Sequence, residues 1–89
     1  MNIPKSFQLA GIKWRVREVA DLNNLGETHR DKALILIRKD ISNPEYKDMV
    51  FLHELVHAIK FSTGDVGPHD EQEVDAFAYM LHQYLKTAK

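Results

Sequence analysis

The sequence predicts an α+β domain: a small antiparallel sheet of about three strands packed on two helices. Ile12-Lys13-Trp14-Arg15-Val16-Arg17 alternates apolar and basic side chains, the period of a strand with one wet face. Ala33-Leu34-Ile35-Leu36-Ile37 is a continuous apolar run rich in β-branched residues, which suits a buried strand. Beyond Ser42 the pattern changes to helical spacing with two N-terminal capping signals. A chain of 89 residues supports one hydrophobic core, so 1–89 is read as a single domain.

The elements follow in order. Phe7 and Leu9 alternate with polar neighbours, and Ala10-Gly11 is a plausible hairpin turn into the strand over 12–19. On that strand Lys13, Arg15 and Arg17 share one face, expected to be solvated. Asp21 to Asp31 is polar, contains Asn23-Asn24 and Gly26, and is expected to be a loop. The strand over 33–37 ends at Arg38-Lys39-Asp40. Ser42 is the expected cap of the first helix, with Pro44 in its first turn and Glu45 at the capping-box position. This helix should run to about Ser62, with Gly64 as a natural stop. Its apolar surface is supplied by Met49, Leu52, Val56, Ile59 and Phe61. The second helix starts at Asp70-Glu71-Gln72-Glu73 and carries a stripe of Val74, Phe77, Ala78, Leu81 and Leu85.

Composition excludes several function classes. With no cysteine, neither a disulfide nor a thiolate-held metal is available, so a metal would need His, Asp or Glu. The net charge of -1 argues against a nucleic-acid partner, even with the basic strand face. No apolar run approaches the ~20 residues of a membrane span, and the first residues lack a signal-peptide core, so a cytoplasmic protein is expected.

The chemistry concentrates in His53-Glu54-Leu55-Val56-His57, an H-E-x-x-H motif in the middle of the first helix. Positions i and i+4 of a helix lie on one face, so His53 and His57 can offer two imidazole nitrogens to one metal ion. Glu54 sits on the adjacent ridge, where a carboxylate can take a proton from a water activated by the metal. A third ligand should come from the second helix, where His69, Asp70, Glu71, Glu73 and Asp75 are available. Glu71 falls on the inward stripe with Val74 and Ala78 and is preferred; Glu73 has a competing role as the capping-box partner of Asp70. Asp75, one turn after Glu71, is placed to accept a hydrogen bond from the far nitrogen of a liganding histidine.

Taken together, His53-Glu54-Leu55-Val56-His57-Ala58, Glu71-x-x-x-Asp75 and Phe77-Ala78 resemble the gluzincin zinc peptidases, and more closely the ImmA/IrrE family of metallopeptidase-like proteins. The opening Ile3-Pro4-Lys5, the hairpin, and Gly26-Glu27 before the Ile-rich strand are similar to small phage-encoded members of that kind. The resemblance implies a Zn²⁺ site of His53, His57 and Glu71, with Glu54 as the catalytic base that later protonates the leaving amine. It implies hydrolysis of a peptide bond in a protein substrate, a regulator among the candidates. His29, Tyr79, His82 and Tyr84 are nominees for an oxyanion donor, and an open edge of the 33–37 strand would suit an extended peptide. The alternative is an idle metal-binding domain that acts as a protein-interaction module. Glu54 favours the enzyme, because a purely structural site needs no base there. A His₂-carboxylate set also suits Mn²⁺, Fe²⁺ or Ni²⁺.

Overall fold

Two left-handed residues begin the architecture. Ala10 and Gly11 have φ of 50° and 78°, the paired positive values of a tight type I′ connection. They join β1 (Ser6–Leu9) to β2 (Ile12–Val19) with Leu9 opposite Ile12. The computed structural model describes residues 1–89. The remaining elements are β3 (Gly26–His29), a 3₁₀ turn (Arg30–Lys32), β4 (Leu34–Arg38), α1 (Pro44–Ser62) and α2 (Glu71–Thr87).

The α+β class holds, but the sheet has four strands, in the order β1-β2-β4-β3, and it is mixed. The segment expected to be a loop contains β3. This strand forms an antiparallel hairpin with β4 through the 3₁₀ turn, whose last flank, Ala33, is left-handed at φ 46°. Ala33 therefore belongs to the turn, and β4 starts at Leu34. The chain crosses over to place β3 outermost and returns, so β4 runs parallel to β2, with Val16 opposite Ile35. A purely antiparallel sheet required β4 to follow β2 directly; the inserted β3 reverses that sense. β4 also lies between β2 and β3, so the 33–37 strand has no open edge, and β3 is the free edge on that side.

The pleat sorts the side chains. Trp14, Val16, Ile35 and Ile37 are buried on the helix side, while Lys13, Arg15 and Arg17 are exposed on the other. Phe7 pairs with Trp14 in the ladder and meets Phe51 of α1 edge-on, at 6.4 Å between ring centroids. α1 lies on the sheet and buries Val50, Phe51, Leu52, Val56 and Ala58. α2 packs on α1 through Val74 and Ala78, both fully buried. Phe77 and Leu85, expected on that stripe, are about half exposed. Ile59 on α1 is also exposed, at 38%.

The helix ends follow local chemistry. Asn43, rather than Ser42, caps α1: its side chain accepts from the Tyr46 N–H at 3.1 Å. Pro44 occupies the first helical position, which makes the preceding residue the cap. Asp70 caps α2 by accepting from the Gln72 and Glu73 N–H groups. Glu73 does not turn back to Asp70; its carboxylate accepts from Lys60 of α1. α1 stops at Thr63-Gly64, with Gly64 at φ 95°. No helix is long and apolar enough to cross a membrane.

Ile35 has no exposed surface and packs on both α1 and its neighbouring strands. Ile35→Ala should lower unfolding free energy by about 2–5 kcal/mol, the usual cost of such a truncation. Urea denaturation of the variant against the parent chain measures it.

Candidate metal centre

α1 carries two kinds of surface at once. Leu52, Val56 and Ala58 are buried in the core, while His53 and His57 turn toward the side where β3 and α2 converge. α2 brings Glu71 to them from its first turn. The Glu71 Oε2 atom lies 3.4 Å from His53 Nε2 and 3.3 Å from His57 Nε2. The three ligand atoms all fall within 4.8 Å of one another. A tetrahedral ion with bonds of about 2.0–2.2 Å separates neighbouring ligand atoms by roughly 3.3–3.5 Å. The two distances to Glu71 match that edge, so these three side chains could hold one ion with little rearrangement.

The opposite edges of the two imidazoles are held as well. His53 Nδ1 lies 2.8 Å from Asp75 Oδ1, and since a carboxylate only accepts, Nδ1 carries the hydrogen. That leaves the Nε2 lone pair of His53 facing Glu71. His57 Nδ1 lies 2.7 Å from Nδ1 of His69. Burial pushes the His57 pKa down, against the opposing pull of Glu71, which favours the neutral ring that a metal ligand must be.

Of the other candidates, Glu73 is turned away to Lys60 and Asp70 is engaged as the helix cap. His69 contacts His57 from behind, with its second nitrogen on the Asp65 carbonyl at 2.9 Å. Glu71 is thus the residue of α2 whose ligand atom joins the two histidines.

Glu54 is buried, at 7% exposure, although it is a carboxylate. Burial pushes its pKa upward, opposed by the Thr28 hydroxyl and His53. Thr28 Oγ1 lies 2.8 Å from Glu54 Oε1 and 3.1 Å from the Glu54 carbonyl oxygen. Its single hydroxyl hydrogen is best placed on the carboxylate, the shorter and more strongly accepting partner. Sequence reasoning missed Thr28 because its segment read as a loop; a lone threonine two residues after a glycine gives little signal. Gly26 is also part of the construction. A Cβ there would meet Glu54 Cγ at 2.9 Å and Val50 Cγ1 at 3.0 Å, so only glycine lets β3 come this close to α1.

Glu54 lines two clefts. One, of about 550 Å³, also touches His53, Met49, Tyr46, Asp75 and Tyr79. The other, of about 230 Å³, lies beside Thr28, His57, Phe61 and His69. Among the nominated oxyanion donors, Tyr79 is on the first cleft. His29 bonds Glu27 at 3.0 Å, while His82 lines a separate hollow with Glu45 and Asp48. Tyr84 is exposed and lines neither of the Glu54 clefts.

Comparison of the chain with protein-family models, curated proteins and solved structures finds no match in any of the three.

Gly26→Ala should cost about 1–3 kcal/mol of stability, as overpacking does where a helix side chain cannot withdraw. Chemical denaturation reads this, and an unchanged midpoint would mean that β3 can retreat from α1. For Glu54 the sign is set by its raised pKa. The folded state prefers the protonated carboxyl, so its contribution to stability is present at low pH and lost as pH rises through the folded pKa. Glu54→Gln should therefore raise the melting temperature of metal-free protein at neutral pH. The gain should shrink as the pH is lowered toward the ordinary carboxyl range. Thermal melts of both proteins across that range, with chelator present, test it.

Proposed function

We propose that the chain is a zinc-dependent peptidase that hydrolyses a peptide bond in a protein substrate. The observation that carries this reading is the pair of His-to-Glu71 distances, 3.4 and 3.3 Å, beside a buried carboxylate that is not one of the three ligands. A structural site would gain nothing from burying Glu54 next to the ligands, and the burial itself costs stability. The resemblance of the H-E-x-x-H and Glu71-x-x-x-Asp75 segments to gluzincins of the ImmA/IrrE kind points the same way.

In this reading His53, His57 and Glu71 hold the ion. An ion held there would supply Lewis acidity, which lowers the pKa of a water and polarises a carbonyl. Glu54 would take the proton of the attacking water, and Thr28 holds its carboxylate in place through Oε1. Desolvation raises the proton affinity of Glu54, which favours its taking that proton, and the departing amine, a stronger base than a carboxylate, can then receive it. Asp75 keeps the Nε2 lone pair of His53 directed at the site.

An extended peptide fits the surroundings. The Arg38 N–H bonds the Leu25 carbonyl at 2.9 Å, which makes this a hydrogen-bonded pair of the β3–β4 ladder. Antiparallel alternation then directs the N–H and C=O groups of Gly26 and Thr28 away from β4, toward the open edge. A substrate strand added there would run past Glu54, with a cleft on either side for its side chains.

Purified protein should take up about one zinc per chain, measured by elemental analysis, and His53→Ala or His57→Ala should abolish uptake. Glu71→Ala should lose the metal and keep the fold, whereas Glu73→Ala should keep the metal. Glu54→Gln should bind zinc as the parent does. It should cleave a proteome-derived peptide library at least ~10²–10⁴-fold more slowly, by mass spectrometry. Zinc-loaded parent protein that cuts nothing would favour the idle interaction module, and equal cutting by Glu54→Gln would remove Glu54 from the mechanism.

A further inference from the structure

We propose that His69 is a positioning residue for His57, a neutral imidazole that fixes which nitrogen of His57 is free to ligate. This rests on the metal-site reading above and goes beyond it, because neither the motif nor the ligand set assigns His69 a part.

The His69 side chain is 1% exposed, so no solvent partner is available and each ring nitrogen must be satisfied within the fold. Its Nε2 lies 2.9 Å from the carbonyl oxygen of Asp65. A carbonyl only accepts, so Nε2 carries a hydrogen. A neutral imidazole with its hydrogen on Nε2 has a lone pair on Nδ1. That lone pair faces His57 Nδ1 at 2.7 Å, so His57 is the donor. His57 is then held as the Nδ1–H tautomer, and its lone pair sits on Nε2, the atom 3.3 Å from Glu71 Oε2. The reverse direction needs a doubly protonated His69 in a buried site, with its nearest Asp65 carboxylate oxygen at 3.9 Å.

Ring geometry supports the same bond. The His57 and His69 centroids are 5.0 Å apart with 19° between planes, while the two Nδ1 atoms are 2.7 Å apart. The rings therefore meet edge to edge in nearly one plane, as an in-plane N–H···N bond requires. Phe61 packs against His69 at 4.6 Å between centroids, and Pro68 immediately precedes it. The α1–α2 connection is anchored at its other end by the Asp65 N–H on the Lys60 carbonyl. His69 thus does for His57 what Asp75 does for His53, with a neutral acceptor in place of a carboxylate.

The test uses the full chain with ¹⁵N-labelled histidine, metal-free, above the histidine titration range. Long-range ¹H–¹⁵N correlation should show His57 as the Nδ1–H tautomer and His69 as the Nε2–H tautomer. An Nε2–H tautomer on His57 in the parent protein overturns the proposal without any variant. His69→Phe keeps a ring against Phe61 and removes the acceptor, so His57 should become a tautomer mixture. His69→Asn offers an amide oxygen near the place of Nδ1 and should restore the single tautomer, which a purely structural role would not do. Zinc affinity by chelator competition should fall about 10–100-fold in His69→Phe, the usual cost of losing a partner behind a metal ligand, and recover in His69→Asn. If the parent binds zinc through His53, His57 and Glu71 and His69→Phe binds it equally well, His69 has no positioning role and the metal reading stands. If the parent binds no zinc, the metal reading falls, and the tautomer spectra still decide the His57–His69 bond.

Discussion

The close approach of β3 to α1 is the constraint on which the rest of the site depends. Gly26 has no room for a Cβ beside Glu54 and Val50, and that missing methyl group lets Thr28 reach the Glu54 carboxylate. A buried carboxylate without a donor would be expensive. With the Thr28 hydroxyl at 2.8 Å, it is a fixed, buried carboxylate on the helix that carries His53 and His57. The edge strand therefore supplies both the space and the hydrogen bond that let α1 carry a carboxylate so near the core.

α1 is the shared element of core and site. Its buried residues, Phe51 and Leu52 among them, hold it against the sheet, and that packing limits how far His53 and His57 can move. α2 packs on α1 through Val74 and Ala78, both fully buried. That packing brings the first turn of α2 within reach of the histidines, with Glu71 Oε2 at 3.4 and 3.3 Å from their Nε2 atoms. Glu71 remains 65% exposed, so its position rests on the helix backbone and the Asp70 cap rather than on burial of its own side chain.

The two histidines are oriented by unlike partners. Asp75 on α2 is a carboxylate that accepts from the His53 Nδ1–H. His69, in the connection before α2, is buried and pairs with His57. The connection and the second helix therefore both contribute to the geometry of a motif that lies wholly on the first helix. The arrangement of these side chains depends on the α1–α2 packing and the loop together.

Much of this was legible in the residues themselves. The i, i+4 spacing of His53 and His57, the Asp70 cap, the Ala10-Gly11 turn and the alternation around Trp14 are local properties, determined by backbone geometry within a few positions. Glu71 and Asp75 could be nominated because helical periodicity puts them on one face. What the sequence could not determine was decided by long-range pairing. β3 has no large apolar residue, and it is a strand because β4 pairs with it and α1 covers it; that insertion makes the sheet mixed and moves the free edge from 33–37 to Gly26–His29. Glu73 was drawn from its local capping role by Lys60 of the other helix. Thr28 and His69 acquired partners 26 and 12 positions away. Local geometry specifies which side chains can face one another within an element; only the packing of separate elements determines which of them meet.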